Sequence, residues 1–245
     1  MNNVIKPYPK VSLKEYIGNI SYRGAELKSR GVEPNPGPAD IRRMITEYCI
    51  LPLGSPELRE NTPAIKSVLM AGPEGCGKTM LLHAICSELG ATLFDLTATN
   101  IVGKYPGKSG LNMLLHLVSK VGRLLQPSVI YIDQAEKTFI KKVSKTDKSD
   151  PKRLRKDLPK LVKNIAPEDQ MILIGNSRAP WECDQKGLTQ AYQKMIYLPK
   201  PDYSYRYCLW KELILSQGGH IAHVEFDLSS LTQISDGWTS GSICK

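Results

Sequence analysis

The chain has 245 residues, of which 41% are hydrophobic and 23% charged. This length fits one large domain or a core with a small companion, and the composition is that of a folded protein, which excludes wholesale disorder. Lysine and arginine number 33 against 24 aspartates and glutamates, a net charge of +9. Within this total, residues 137–163 hold 11 basic and 3 acidic side chains, and we call them the basic segment. Such a segment favours an acidic partner, such as nucleic acid, an anionic membrane or an acidic protein tail.

Cysteine usage and apolar runs indicate the compartment. The six cysteines are scattered and form no CxxC pair, which is typical of reduced thiols in an intracellular protein. The first ten residues lack the apolar stretch of a secretory signal, and no apolar run approaches the ~18 residues that a membrane span needs. We therefore expect a cytoplasmic protein without a membrane partner.

The N-terminal part of the chain, residues 1–36, is interpreted as an extension that ends in a linker. The run at 31–38, GVEPNPGP, is rich in proline and glycine and is typical of a hinge. A helix is predicted from Asp40 onward, because Ile41, Met44, Ile45 and Tyr48 recur at a spacing of three to four residues.

After this helix, short apolar runs alternate with helix-like segments. Strands are predicted at 67–71, 92–96, 128–132, 171–175 and 195–198. Helices are predicted at 79–89, 111–125, 152–165 and 203–216, and from 228 onward. Pro159 lies inside one of them, where a kink or an early end is expected. Five short apolar strands separated by helices indicate an α/β fold with a parallel sheet covered by helices on both faces.

Residues 72–79, GPEGCGKT, match the pattern G-x4-G-K-[ST] of a phosphate-binding loop. The motif lies between an apolar strand and a helix, which is the context that it requires. Lys78 is expected to reach the β- and γ-phosphates, and Thr79 to place its hydroxyl on Mg²⁺. The alternative is a glycine-rich turn with an exposed lysine. We predict ATP or ADP with Mg²⁺ as ligands, and the residues predicted to bind the nucleotide are Gly72, Pro73, Glu74, Gly75, Cys76, Gly77, Lys78, Thr79, Met80 and Asn176.

A second apolar strand ends in Asp133, which is predicted to hold Mg²⁺ together with Thr79. The next residue in a hydrolase is usually a glutamate that takes a proton from the attacking water. Here it is Gln134, which can orient water but cannot accept its proton. Glu136 is the nearest carboxylate, with a structural or magnesium-side role as the alternative to catalysis. We expect a site that binds ATP and hydrolyses it slowly or not at all.

Four further stretches, in chain order, resemble the AAA subgroup of the AAA+ ATPases. IVGKYPGKS at 101–109 is similar to the first pore loop, with Tyr105 as its aromatic, and IGNSRAP at 174–180 to the end of the sensor-1 strand. IYLPKPD at 196–202 resembles the strand that leads into the lid, and SDGWTSG at 235–241 a lid motif. The resemblance implies a P-loop AAA+ core at 37–200 and a truncated helical lid at 201–245.

The sequence also departs from the family pattern. The resemblance places the sensor-1 asparagine at Arg178, which joins Gln134 and Glu136 as a candidate catalytic residue. The arginine finger of a neighbouring subunit maps onto residues 191–194, with Ala191 at the arginine position. Because an arginine supplied in trans can raise the rate by roughly 10³–10⁵, its loss implies weak or absent hydrolysis. A ring oligomer is therefore not supported by an arginine finger, and Tyr105 is expected to be an exposed contact residue rather than a threading residue.

Within the subgroup, several runs resemble the AAA region of the IQ and AAA domain-containing family, which contributes subunits to the nexin–dynein regulatory complex of motile cilia. The runs are IVGKYPGK, LQPSVIYID, EKTFIKKV, DPKRLRKDLP and YLPKPDYSYRYCLWK. This resemblance implies a structural or regulatory subunit of the ciliary or flagellar axoneme, a part of the cytoskeleton, with axonemal proteins and doublet microtubules as partners.

The basic segment would then meet acidic tubulin tails, with a solvated loop as the alternative. Nucleic acid is disfavoured, because Phe139 is the one aromatic residue of the segment. Two other functions stay open. One is an active AAA+ ATPase that remodels or severs acidic protein substrates, and the other is a pseudo-ATPase scaffold without nucleotide.

Overall fold

The computed structural model describes residues 4–19, 23–61, 65–141, 149–218 and 227–245. These residues form one sheet of five parallel strands in the order β2-β3-β4-β1-β5. The strands are β1 (Ser67–Ala71), β2 (Thr92–Asp95), β3 (Ser128–Ile132), β4 (Met171–Ser177) and β5 (Lys194–Tyr197). The predicted α/β fold is confirmed. Strand β4 extends to Ser177, two residues further than predicted, because its end pairs with Met70 and Ala71 of β1.

Helices connect and flank these strands. In chain order they are α1 (Arg23–Ser29), α2 (Pro38–Ile45), α3 (Leu51–Gly54), α4 (Pro56–Asn61), α5 (Lys78–Leu89), α6 (Ala98–Ile101), α7 (Gly107–Leu124), α8 (Ala135–Phe139), α9 (Leu158–Lys163), α10 (Gln185–Ala191), α11 (Tyr203–Ser216), α12 (Leu228–Ile234) and α13 (Ser240–Ile243). A π-helical turn, Thr46–Ile50, joins α2 to α3. Within the described ranges, no helix combines the length and the apolar character that a membrane span requires.

Two apolar layers cover the two faces of the sheet. One layer packs β-strand side chains such as Leu69 and Ile130 against α7, α9 and α10, and its helix residues include Leu114 and Leu161. The other layer packs the alternate strand residues against α2, α5 and α11. Because every residue of β1, β3 and β4 is buried, these strands are apolar along their whole length instead of alternating.

Residues 4–16 lie on the core rather than apart from it. Ile5 forms an antiparallel bridge with Phe94 at the edge of the sheet, and Asp95 donates its backbone N–H to the carbonyl of Val4 at 2.8 Å. Further along, the Tyr8 hydroxyl donates to the carbonyl of Ala91 at 2.8 Å. The segment then crosses the C-terminal end of α5 and brings Tyr16, which is 2% exposed, to the phosphate loop. Part of the predicted extension thus contributes to the core.

The predicted helix at 152–165 is wrong as a single element. The chain forms a 3₁₀ turn at Pro151–Leu154 and then α9, with Pro159 in its first turn. Proline fits the first turn because the backbone N–H groups there have no partner within the helix, so Pro159 starts a helix instead of kinking one.

Tyr105 is also not the exposed contact residue that was expected. It is half-buried against the core, and its backbone adopts a left-handed conformation with φ of +53°. The guanidinium of Arg153 donates to the carbonyls of Lys104 (3.0 Å), Tyr105 and Gly107 (3.3 Å), which holds this loop in place.

Candidate nucleotide-binding site

The phosphate loop connects β1 to α5 and is packed on both sides. Gly75 and Gly77 have φ of +80° and +88°, a region that glycine enters without strain. A Cβ on Gly75 would lie 2.5 Å from Thr239 Oγ1, and one on Gly77 would lie 2.8 Å from Tyr16 Cε2. The loop therefore has no room for side chains at these positions, and glycine is required by both conformation and packing.

Lys78 is the first residue of α5 and lies inside the loop. Its Nζ donates to the carbonyls of Gly72 at 2.6 Å and Pro73 at 2.5 Å. Burial lowers its pKa, and the nearby charge of Arg178 lowers it further. A partly desolvated ammonium at the N-terminus of a helix is well placed to bind phosphate.

A cavity of about 540 Å³ opens beside the loop, where the carboxyl ends of β3 and β4 meet the N-terminal segment and the C-terminal helices. Many of the predicted site residues line it: Glu74, Gly75, Gly77, Lys78, Thr79, Met80, Asp133, Asn176 and Arg178. Strand order explains this convergence, because β1, β4 and β3 are neighbours and their carboxyl ends lie at one edge of the sheet. The structure thus brings the loop together with the residues predicted at the ends of β3 and β4.

The residues predicted to hold Mg²⁺ lie in this cavity. Thr79 is in the first turn of α5, and Asp133 directly follows β3, with its backbone N–H donating to Thr97 Oγ1 at 3.0 Å. The described residues contain no group of three or more histidine, cysteine or acidic side chains that could hold a metal. A Mg²⁺ ion bound by Thr79 and Asp133 would therefore take its remaining ligands from phosphate and water, which is usual for this ion.

Asn176 lies in the wall of the cavity, with its side chain held by a neighbouring strand. It is buried, and its Nδ2 donates to the hydroxyl of Tyr131 at 2.9 Å. Burial raises the pKa of Tyr131, and the charge of Asp133 raises it further. Among the described residues, Asn176 Oδ1 has no hydrogen-bond partner. A buried acceptor without a partner is costly, so this oxygen fits a donor such as an ordered water beside a bound phosphate.

The structure separates the other two candidates from the cavity wall. Gln134 adopts a left-handed conformation, with φ of +50°, at the start of α8, and it does not line the cavity. Glu136 is buried behind the end of β4, where its Oε1 accepts from the backbone N–H of Arg178 at a long 3.5 Å. Glu136 thus contacts the backbone that carries Arg178, and catalytic roles for Gln134 and Glu136 stay predictions.

Arg178 follows β4 directly and faces the phosphate loop. Its Nη1 lies 2.7 Å from Glu74 Oε2, and the two side chains are 48% and 73% exposed. Sequence reasoning singled out both residues for nucleotide binding or chemistry, but not their ion pair, because the pair joins residues more than a hundred positions apart.

Several residues that line the cavity were not predicted. They are Glu15, Tyr16 and Ile17 from the N-terminal segment, and Tyr205, Leu209, Ser240, Gly241 and Cys244 from the C-terminal helices. The last helix reaches the loop directly, since the N–H of Gly241 donates to the carbonyl of Gly75 at 2.8 Å. The lid-like run at 235–241 was a signal for Ser240 and Gly241, whereas no motif marked Tyr16.

The C-terminal helices are fastened to one another by buried polar contacts. Arg206 of α11 is 5% exposed and donates to the carbonyls of Pro201 at 2.9 Å and Thr232 at 3.2 Å. Trp210 Nε1 donates to Ser235 Oγ at 3.0 Å. These contacts join α11 to α12, while residues of α11 and α13 line the cavity.

A known protein family shares the loop and the sheet of this chain. The family described as "ATPase family associated with various cellular activities (AAA)" matches residues 68–200, which include the phosphate loop and Arg178. The chain belongs to the AAA family. The match covers the loop, β3 with the Asp133 that follows it, and β5, so the AAA resemblance of the sequence is confirmed.

This chain is similar to parts of longer proteins. It is 49% identical over 240 residues to mouse Dynein regulatory complex protein 11, covering 96% of this chain and 28% of that protein. It is 28% identical over 240 residues to spastin of Naegleria gruberi, covering 95% of this chain and 45% of that protein. The chain thus spans less than half the length of either relative.

A solved structure shares the fold. The crystal structure of the FIGL-1 AAA domain in complex with ADP superposes with a TM-score of 0.68 at 22% identity, covering 99% of this chain and 73% of that one. At this identity the likeness establishes the AAA architecture of the described residues.

Proposed function

We propose that this chain is an ATP- and ADP-binding AAA domain that hydrolyses ATP weakly or not at all and serves as a structural or regulatory part of the ciliary axoneme. The observation that carries the nucleotide is the cavity in which the phosphate loop, Asp133, Asn176 and Arg178 converge. The AAA domain spans 37–200 and the lid helices 201–245, with the N-terminal segment completing the wall. The similar FIGL-1 domain was solved with ADP.

The residues fit a nucleotide with Mg²⁺. Backbone N–H groups of the loop and the N-terminus of α5 would hold the phosphates, Lys78 would neutralise them, and Thr79 and Asp133 would hold the cation. The bound cation would supply charge neutralisation at the phosphate oxygens. Tyr16 and Tyr205, with rings 5.9 Å apart, line the cavity on the side of the N-terminal segment.

Weak hydrolysis is proposed from two features of the chain. Gln134 occupies the sequence position, directly after Asp133, at which the general base is expected, and an amide cannot take a proton from water. The rate enhancement of roughly 10²–10⁴ that a general base provides is therefore lost. Ala191, which occupies the arginine position, and Tyr192 are buried at the end of α10, so neither position offers an arginine to a neighbouring active site. Both effects slow the reaction without preventing binding.

Phosphate release tests the weak hydrolysis. We expect a steady-state turnover well below the ~1 s⁻¹ that marks the lower range of ordinary enzymes. Gln134→Glu is expected to raise it, and Lys78→Ala to abolish whatever remains. A wild-type turnover near ~1 s⁻¹ that Lys78→Ala abolishes would contradict weak hydrolysis and favour the active remodelling or severing ATPase.

The axonemal role is proposed from the 49% identity to mouse Dynein regulatory complex protein 11. The proposed location that follows from this role is the cytoskeleton of a cilium or flagellum. The proposed partners are axonemal proteins and doublet microtubules. Tagging the full-length protein in a ciliated cell tests this role. Signal along the axoneme that resists detergent extraction is expected, and a diffuse signal that detergent removes would contradict it.

Part of the basic segment is available for an acidic partner. A groove of about 860 Å³ is lined by basic residues of this segment, including Lys152, Arg155 and Lys156. Lys104, in the loop before α7, and Lys108, at the start of α7, also line it. Arg155 is paired with Asp184 at 2.6 Å, and Lys152 donates to the carbonyl of Lys141 at 2.7 Å. The lysines of the groove form no ion pair among the described residues. Residues 142–148 of the basic segment lie outside the described ranges.

Co-sedimentation with microtubules tests this groove. We expect Lys108→Gln combined with Lys156→Gln to weaken binding, and Lys120→Gln, on the outer side of α7, to leave it unchanged. Removal of the acidic tubulin tails, or added salt, is expected to have the same effect as the double substitution. Binding that ignores tails, salt and the double substitution would contradict an acidic partner at this groove.

A further inference from the structure

The groove beside the basic segment has two walls that come from separate parts of the chain. One wall consists of residues between 101 and 111, and we call it the loop wall. The other consists of residues between 149 and 157, and we call it the turn wall. Each wall contributes two lysines that form no ion pair among the described residues, namely Lys104 and Lys108 on the loop wall and Lys152 and Lys156 on the turn wall.

Arg153, on the turn wall, joins the two walls by hydrogen bonds. Its guanidinium donates to three backbone carbonyls of the loop wall, those of Lys104 at 3.0 Å, Gly107 at 3.3 Å and Tyr105. Within the described part of the chain, Arg153 forms no ion pair, so its donors are directed to the loop instead of to a carboxylate. A planar guanidinium suits several acceptors at once, whereas the ammonium of a lysine is a single point of charge.

The loop conformation that Arg153 holds turns Tyr105 away from the groove. Lys104 and Pro106 line the groove, but Tyr105 between them does not, because its side chain packs against the core. Its φ of +53° is strained for a residue with a side chain, so the contacts around it must maintain this conformation. The start of α7 supplies one such contact, since a Cβ on Gly110 would lie 2.4 Å from the carbonyl oxygen of Tyr105. This carbonyl is thus enclosed between Gly110 and the guanidinium of Arg153.

A loop held in this way presents its lysines at fixed positions. Without Arg153, the strained backbone around Tyr105 would relax, and the loop wall would have to be ordered again when an anion binds. Ordering a loop and its side chains opposes association. A preformed groove therefore binds more tightly than a mobile one that carries the same charges.

We propose that Arg153 positions the loop wall and thereby shapes the groove for an acidic polypeptide. The inference rests on the acidic partner proposed for this groove and adds the residue that forms the binding surface. Arg153 acts through its hydrogen bonds to the loop, while the four lysines contact the partner. Tyr105 stays packed on the core when the partner binds.

Arg153→Lys separates shape from charge, because it keeps the positive charge and loses the planar set of donors. We expect this variant to weaken binding to microtubules in co-sedimentation by about fivefold to tenfold, which reflects the ordering of two lysines and their loop. The peptide that covers residues 101–109 should exchange its amide hydrogens at least about tenfold faster in the variant. Arg43→Lys is the matched control and should change neither quantity, because Arg43 pairs with Glu47 outside the groove.

Gly110→Ala tests the same loop from the opposite side without changing any charge. Its Cβ should displace the carbonyl of Tyr105 and weaken binding to a similar extent. Gly54→Ala is the control, because the nearest atom to a Cβ there, Leu89 Cδ2, lies at an ordinary contact distance of 3.7 Å. A thermal unfolding midpoint close to that of the wild type shows that a variant is folded. Arg153→Lys and Gly110→Ala each test the inference on their own.

Three results would overturn the positioning role. If Arg153→Lys binds microtubules like the wild type while Lys108→Gln with Lys156→Gln loses binding, the acidic contact stands and depends on charge alone. If Arg153→Lys loses binding without faster exchange of the loop peptide, Arg153 contacts the partner directly. If the wild-type chain does not bind microtubules, the inference fails together with the acidic partner proposed for this groove.

Discussion

Tyr16 offers a quantitative test of the way in which the N-terminal segment completes the site. Its ring is 2% exposed, packs on Gly77 of the phosphate loop and lies 5.9 Å from the ring of Tyr205. Its hydroxyl donates to the carbonyl of Cys76 at 3.5 Å, which is the upper limit of a hydrogen bond. Packing therefore dominates the contribution of this side chain to stability.

Replacing Tyr16 by alanine removes the buried ring. Loss of a large buried aromatic side chain costs about 3–5 kcal/mol, and for a domain of this size each kcal/mol lowers the melting temperature by about 2–4 °C. We expect Tyr16→Ala to lower the midpoint by roughly 6–20 °C. Tyr16→Phe keeps the ring and loses a long hydrogen bond, so it should cost about 0.5–1 kcal/mol.

Urea unfolding followed by tryptophan fluorescence, with thermal unfolding as a second probe, measures both variants. The ordering of the two variants is the decisive feature. A cost below about 1 kcal/mol for Tyr16→Ala, or equal costs for alanine and phenylalanine, would refute the conclusion that residues 4–16 are part of the folded core.

Three other predictions concern the loop, the thiols and the buried phenols. Gly77→Ala should abolish nucleotide binding and should lower the free energy of unfolding more than Gly90→Ala does. Both glycines have positive φ, but of the two only Gly77 has neighbouring atoms within 4 Å of an added Cβ. Equal losses of unfolding free energy in the two variants would contradict this prediction. Cys244 and Cys208 are the most accessible described thiols, and ATP should slow the alkylation of Cys244, which lines the cavity, and not that of Cys208; equal protection in a mass-spectrometric time course would argue against the cavity as the binding site. Burial raises the pKa of Tyr192, and its hydroxyl has no partner among the described residues. As the pH rises, the unfolded chain therefore loses this proton at a lower pH than the folded chain does. The free energy of unfolding should fall as the pH rises above ~10. Tyr192→Phe should be neutral or stabilising at about pH 7 and should flatten that alkaline loss, and an unchanged pH dependence in urea unfolding would contradict the assignment.

Local patterns in the sequence predicted the sheet and the phosphate loop. The strands were recognisable because both faces of the sheet are covered, so that runs such as 128–132 are apolar throughout. The loop was recognisable because its chemistry fixes glycine, lysine and threonine at set spacings. Asp133 was predicted in the same way, and the structure places it directly after a buried strand and in the wall of the cavity.

Contacts between distant segments were not predictable in this way. Two contacts join the N-terminal segment to distant parts of the chain: the bridge between Ile5 and Phe94, and the packing of Tyr16 on Gly77. No residue pattern near the N-terminus predicts either contact. The ion pair of Glu74 and Arg178 depends likewise on the order of β1 and β4 in the sheet. Such features follow from the fold and not from local periodicity.

The basic segment shows how the structure changes the meaning of a composition. As a sequence it is a run of positive charge, which favoured an acidic partner, with a solvated loop as the alternative. In the fold, Arg153 holds the backbone around Tyr105 and Arg155 pairs with Asp184. Part of the charge is thus structural, and the proposed contact with an acidic partner rests on the groove lysines.

The most direct test of the proposed site is the binding of nucleotide to the purified chain, measured as the shift in melting temperature with ATP or ADP and Mg²⁺. At a ligand concentration of about 100 times Kd, binding should stabilise the chain by about 2.7 kcal/mol, which corresponds to a rise of roughly 5–11 °C. Lys78→Ala should abolish the rise. Absence of any shift in the wild-type chain at millimolar nucleotide, or an equal shift in Lys78→Ala, would contradict a nucleotide site at the phosphate loop.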